Sequence, residues 1–230
     1  MKYKHIFFDL DRTLWDFEEN SNETLLELCD KYNFASKGIL NYNEFIKKYK
    51  FHNECLWSLY RENKISQKKL RRQRFYNTLL DYGIDDVKLS EEIGLDYIEI
   101  CPKKNKLFPF IFDVLDYLKY NYYLHIITNG FEKTQQIKLK YSGLKPFFLN
   151  VITSDKIGFK KPNPLIFEHA LQKAGASKSE SIYVGDDLEV DILGCQNFGI
   201  DGVFFNPKKT PHNENVTYEI SSLKQLMEIF

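Results

Sequence analysis

Two aspartates, Asp9 and Asp11, stand one residue apart behind the apolar run His5-Ile6-Phe7-Phe8. In an extended segment, side chains two apart point the same way, so both carboxylates would face one cavity. Unrelieved, they repel each other and one is driven towards protonation. A divalent cation removes that conflict, and magnesium takes carboxylate, carbonyl, water and phosphate oxygens. Asp186 supplies a further carboxylate, with Asp187 and Asp191 adding negative charge nearby. Asp186 or Asp187 alone would read equally well as a turn or helix cap. The 9–11 pair behind a Phe-Phe strand does not. Thr128-Asn129-Gly130 offers a hydroxyl and approachable backbone N–H groups, which suit a phosphate oxygen, although Asn-Gly by itself is a common turn. Lys160-Lys161-Pro162 brings a cation that could neutralise phosphate and carboxylate; by itself it reads as surface lysine.

These residues need elements that gather them. His5–Leu10 reads as a short buried strand, as do Tyr122–Ile127, Val151-Ile152, Ser181–Val184 and Gly202–Phe205. Helical patterns lie between them: one to Tyr141 stopped by Gly143, one at Pro164–Ala174, and one to Phe198 stopped by Gly199. Pro109 suits the first turn of another. Strands alternating with helices imply a parallel α/β sheet. Asp9, Thr128 and Asp186 each follow a strand, and open α/β sheets bind ligands at the strands' carboxyl ends. They should therefore converge. From Asp16 to Cys101 the pattern is mainly helical: Phe45, Tyr49, Leu56 and Tyr60 share one face, and Phe75, Leu79 and Tyr82 another. Asn43 is the expected N-cap of the first of these helices and Gly83 the stop of the second.

Composition narrows the classes. The 230 residues are 43% hydrophobic and carry 32 basic and 32 acidic side chains, so zero formal charge gives no pull towards nucleic acid or acidic membranes. A small-molecule partner is the expectation. The basic run Lys68–Arg74 reads as a solvated helix face, and Trp57, Tyr60 and Phe75 as core rather than a base-stacking platform. Cys29, Cys55, Cys101 and Cys195 form no C-x-x-C pair, which favours a reducing, cytoplasmic setting over disulfides or zinc. His52, His125 and His169 have no metal spacing. No stretch approaches the ~18 apolar residues of a membrane span.

Taken together, Asp9-Leu10-Asp11-Arg12-Thr13, Thr128-Asn129-Gly130, Lys161-Pro162 and Gly185-Asp186-Asp187-Leu188-Glu189-Val190-Asp191 resemble the four motifs of the haloacid dehalogenase superfamily. Ile127–Phe131 followed by Gln135-Gln136, with Leu56-Trp57 and Arg74-Phe75, is similar to its pyrimidine 5′-nucleotidase branch. The resemblance implies an α/β Rossmann-like core at 1–15 and 104–230 and an all-helical C1-type cap at 16–103, excluding water and choosing substrate. It implies a phosphomonoester hydrolase, for nucleoside 5′-monophosphates, in which Asp9 becomes phosphorylated and Asp11 acts as general acid and then base. Mg²⁺ would be held by Asp9, the Asp11 carbonyl and Asp186, with Asp187 or, preferably, Asp191 orienting its waters. Thr128, Asn129 through its backbone, and Lys161 rather than Lys160 would bind the phosphoryl group. The alternatives are a phosphatase for sugar or acyl-neuraminate phosphates, a phosphomutase, and a phosphate-binding protein without turnover. Asp11 and Asp186 together argue against a dehalogenase, which needs neither.

Overall fold

The computed structural model describes residues 2–230. The chain divides into two compact units: residues up to Phe17 together with Asn105–Phe230, and Glu18–Lys104.

The first unit is built on six parallel strands in the order β3-β2-β1-β4-β5-β6. β1 (His5–Phe8) lies in the middle, between β2 (Tyr123–Thr128) and β4 (Ser181–Gly185). Ile6, Phe7 and Phe8 are fully buried, as a parallel strand covered on both faces requires. β3 (Asn150–Thr153), β5 (Asp201–Phe205) and β6 (Tyr218–Ile220) complete the sheet. β6 escapes sequence reading because three residues, Tyr-Glu-Ile, carry too little pattern. Order 3-2-1 on one side and 4-5-6 on the other puts the topological switch at β1 and β4, where a crevice opens at the carboxyl ends. Phe8 pairs with Ile126 and Val184, so Asp9, Thr128 and Asp186 leave the sheet within a residue of one level.

The connecting helices follow the expected pattern with local differences. The segment Ile111–Leu118 starts after Phe110, whose φ of 67° is left-handed, so Pro109 lies outside the helix and not in its first turn. The helix Glu132–Tyr141 follows β2 and Pro164–Ala174 follows β3, the latter capped by Asn163. After β4 the chain makes a π-helical turn, Leu188–Leu193, before a short α segment ending at Phe198.

The second unit is helical. It holds four long helices: Phe17–Lys31, then Tyr42–Arg61, Gln67–Leu80 and Val87–Ile100, the last three capped by Asn41, Ser66 and Asp86. Asn41, not Asn43, is the first cap: it has extended backbone, and its side chain accepts from Glu44 N, whereas Asn43 is already inside the helix. The helix begun at Gln67 ends at Leu80, and Gly83 serves the turn beyond it, at φ 73°. Phe45, Tyr49, Leu56, Tyr60, Phe75 and Leu79 are buried as expected. Arg74 departs from the solvated-face reading of the basic run: it is only 5% exposed. No helix among the described residues is long and apolar enough to cross a membrane.

Candidate active site

The loop leaving β1 folds back on itself: Leu14 N and Trp15 N both donate to Leu10 O, at 3.0 and 2.8 Å. Arg12 takes a left-handed φ of 64° to make that turn. Asp9 N donates to Val184 O at 2.9 Å, tying the first acidic segment to the fourth. Thr13 strengthens the tie, its hydroxyl donating to Asp186 Oδ1 at 3.1 Å.

Three carboxylates meet beside this loop. Asp9, Asp186 and Asp191 each present an oxygen within 4.8 Å of the other two. Lys161, 2% exposed, enters their midst and donates to Asp9 Oδ1 at 2.7 Å, Asp191 Oδ1 at 2.6 Å and the Tyr183 hydroxyl at 2.7 Å. An ammonium has three protons, and all are used. Lys161, not Lys160, is therefore the lysine of the cluster, and in this arrangement it holds carboxylates. Burial pushes Asp9 up to about 7, with Asp191 and Asp11 adding to the rise and Lys161 opposing it. Burial also raises Asp186 and Asp191. For Lys161 burial acts downward, but Asp191 and Asp9 outweigh it and hold the ammonium above its ordinary range.

Two glycines make this density possible. A Cβ at Gly185 would collide with the Asp191 carboxylate, and one at Gly194 would lie 2.8 Å from Pro162 Cβ. The first lets the π turn carry Asp191 back onto the tip of β4. The second lets the Lys161-Pro162 segment close in.

The remaining expected residues divide. Asp191 joins the cluster, whereas Asp187 Oδ1 caps the following turn by accepting from Glu189 N and Val190 N at 3.1 and 2.9 Å. The Asp11 carboxylate stands outside the three-carboxylate group, bound to Gln135 Nε2 at 2.9 Å and to Lys138 Nζ. Asn129 uses its side chain as a clamp on Lys161: Oδ1 accepts from Lys161 N at 2.8 Å and Nδ2 donates to Lys161 O at 3.0 Å. Thr128 is 1% exposed at the tip of β2.

Sequence reasoning does not single out Thr13, Gln135, Lys138 and Tyr183 for these contacts. Tyr183 sits in an otherwise apolar strand and reads as core, and Gln135 and Lys138 lie on a helix rich in polar residues. Gly130 carries a signal: a Cβ there would collide with the Gln135 amide, so glycine after Asn129 makes room for a side chain five residues on.

The donor set fits a hard dication. Of the three carboxylates, Asp9 and Asp191 share one directly bonded ammonium and Asp186 has only the Thr13 hydroxyl, and the second oxygens of Asp9 and Asp186 meet no hydrogen-bond donor among the described residues. Magnesium takes oxygen ligands of this kind.

Strand order, crevice and acidic cluster put a carboxylate-lined site at the switch point of a parallel α/β sheet. The family model for haloacid dehalogenase-like hydrolases matches residues 3–199, and the chain belongs to that family. It is 31% identical to the HAD-hydrolase YfnB of Bacillus subtilis over 99% of this chain and 95% of that protein. It is 31% identical to the pyrimidine 5′-nucleotidase YjjG of Escherichia coli over 100% of this chain and 98% of that one. Identity to the glyceraldehyde 3-phosphate phosphatase of Methanothermobacter thermautotrophicus is 32%, over 97% and 99% of the two chains. The crystal structure of YfnB bound to magnesium superposes with a TM-score of 0.89 at 30% identity, covering 100% of this chain and 99% of the other. The protein is thus a hydrolase of the fold and family that its four motif segments resemble.

Proposed function

We propose that this hydrolase is a magnesium-dependent phosphomonoesterase working through an aspartyl-phosphate on Asp9, with nucleoside 5′-monophosphates as its substrates. One observation carries the reading: Asp9 is anchored through Oδ1 by a buried lysine while Oδ2 has no donor among the described residues. That is how a carboxylate nucleophile is aimed. Full-length likeness to proteins named pyrimidine 5′-nucleotidase in E. coli and Streptococcus pneumoniae supports the substrate class.

Asp9 Oδ2 attacks phosphorus as the ester P–O bond breaks, and the leaving alkoxide takes a proton from the Asp11 carboxyl. The Asp11 carboxylate then takes a proton from water, whose oxygen displaces Asp9 and releases inorganic phosphate. Lys161 fixes the Asp9 rotamer and offsets its charge; Thr128 donates to a phosphoryl oxygen, with the backbone N–H groups beside Leu10 and Asn129. Asp9, Asp186 and the Asp11 carbonyl would hold magnesium, with Asp191 and Asp187 outside them, and the ion supplies charge neutralisation for the phosphoryl oxygens. General acid catalysis gives only about 10²- to 10⁴-fold, so positioning and charge stabilisation must supply the rest. The inserted helical unit, Glu18–Lys104, is assigned the choice of leaving group, and the free cysteines are consistent with a cytoplasmic enzyme.

Asp9→Asn should lower phosphate release at least about 10³-fold while leaving the circular dichroism spectrum unchanged. Near-normal release from that variant would refute the nucleophile. A release screen over nucleotides, sugar phosphates and acyl-neuraminate phosphates fixes the substrate; a sugar phosphate turned over best would move the chain towards the glyceraldehyde 3-phosphate phosphatase likeness.

A further inference from the structure

Gln135 makes contacts that the catalytic scheme above leaves unused. Its single amide nitrogen donates to Asp11 Oδ2 at 2.9 Å and to Thr128 Oγ1 at 2.7 Å. Both protons of that nitrogen are thereby committed, one to the acid of the first segment and one to the hydroxyl of the second. Thr128 Oγ1 also accepts from Gly130 N at 3.1 Å. A hydroxyl has two lone pairs and one proton. Here both lone pairs are filled, so the proton is the one function Thr128 has left to offer. The hydroxyl is set as a donor. One turn along the same helix, Lys138 Nζ binds the other oxygen of Asp11, with its ammonium 4.3 Å from the centre of the Trp15 ring. Gln135 is fully buried and Lys138 5% exposed, while the Asp11 side chain they hold is 25% exposed.

We infer that Gln135 is a positioning residue that couples the two halves of the reaction: through one amide it fixes the Asp11 carboxylate and turns the Thr128 hydroxyl towards the phosphoryl group, with Lys138 holding Asp11 from its other side. The inference rests on the proposed roles of Asp11 and Thr128. It explains why a glycine stands at 130, where any side chain would push the amide away.

A double-mutant cycle separates coupling from mere support. Gln135→Met keeps the chain length and removes both donors. It should lower kcat with an alkyl phosphomonoester, and weaken inorganic phosphate measured as product inhibitor, each by about 10- to 100-fold. Thr128→Val should weaken phosphate by a similar factor. If Gln135 acts through Thr128, adding Gln135→Met to Thr128→Val should weaken phosphate by less than about 3-fold more. In an Asp11→Asn background its effect on kcat should likewise shrink. Gly130→Ala displaces the same amide and should reproduce the phosphate defect, which covers the case of a Gln135→Met protein that does not fold.

Full additivity in both backgrounds would overturn the inference, as would wild-type phosphate affinity in Gln135→Met or in Gly130→Ala. Phosphate affinity can also be read calorimetrically without turnover. Failure of the nucleophile assignment in Asp9→Asn is therefore distinguishable from failure of the coupling.

Discussion

Each unit of the molecule buries a cation, Lys161 in one and Arg74 in the other, and they are held in opposite ways. In the sheet unit Lys161, 2% exposed, meets two carboxylates and a phenol within 2.7 Å. In the helical unit Arg74, 5% exposed, has one neutral hydrogen bond, from Nη1 to Asn53 Oδ1 at 3.3 Å. Its other neighbours are rings: the guanidinium carbon lies 4.6 Å from the centre of Tyr97, 5.5 Å from Phe75 and 5.9 Å from Tyr49. Arg74 Nε has no partner among the described residues. Removing one partner from a buried ion pair leaves a charge stranded, whereas a cation held by π faces has no counter-charge to strand. Paired charge marks the proposed reaction site; unpaired charge among aromatics marks a packing solution.

The largest effect expected from this contrast is at Lys161. Lys161→Met would leave Asp9 and Asp191 buried without their shared cation. Stability measured by denaturant in chelator should fall by about 3 to 5 kcal/mol, and turnover should be lost with it. A variant that loses activity at unchanged stability would show that the carboxylates relax without the lysine, and would break the contrast on its stronger side.

Gly185→Ala tests the same cluster without touching a charge. Its methyl must displace the Asp191 carboxylate, so a loss of up to about 3 kcal/mol is expected, together with a fall in kcat as Lys161 follows Asp191. Normal kcat in a folded Gly185→Ala protein would uncouple Asp191 from the site.

The difference between the units also governs how much of each is legible in the amino-acid sequence. Asp9 and Asp186 are legible because each follows an apolar strand of a parallel sheet, and topology then leaves little choice of where they meet; Lys161 alone reads as a surface lysine and is legible only through the resemblance of Lys161-Pro162 to a family motif. Sequence reasoning sets Asp191 outside the metal's immediate neighbours, yet its carboxylate enters the cluster, because the π turn after Asp187 brings position 191 back over Gly185. Gln135 is named in the sequence only as part of a family likeness, and its buried contacts, like those of Lys138, are hidden by composition: Lys133, Gln136, Lys138 and Lys140 make their helix look solvated, and only a tertiary contact tells the inward face. In the helical unit, periodicity locates the aromatic core but not the fate of Arg74. Local charge density argues for solvent; the neighbouring Tyr49, Phe75 and Tyr97 faces, two of them distant in sequence, decide otherwise.

A third buried polar site uses no charge and bounds the comparison. His125 is 1% exposed, 3.1 Å from His5 across Nε2 and Nδ1, and its own Nδ1 faces Asn150 Nδ2 at 3.0 Å. With Asn150 donating to Nδ1, the proton of His125 belongs on Nε2, donated to His5. Burial lowers His125 to about 4, with His5 adding to the fall, and burial lowers His5 as well. A histidine depressed on folding contributes fully above its unfolded value near 6.5 and loses that contribution as pH falls towards 4. Between those limits the wild type should lose about 2 kcal/mol more than His125→Gln, as read from urea midpoints across the range. Parallel curves for the two proteins would exclude a neutral pair.

The smallest effect belongs to Arg74. Arg74→Met fills most of the same volume with an unbranched, polarizable chain that suits aromatic neighbours. The change relieves the desolvation of a guanidinium and the unpaired Nε. Against this it loses the attraction of the Tyr97 face, about 1 to 2 kcal/mol when desolvated, and leaves Asn53 Oδ1 without its donor at about 1 kcal/mol or more. The opposing contributions are of similar size, so stability should change by about 1 kcal/mol or less, against the several expected at Lys161. A loss above about 3 kcal/mol would mean that three rings and an amide compensate a buried cation as fully as two carboxylates do, and the distinction between the units would have to be redrawn around total polar contact rather than opposite charge.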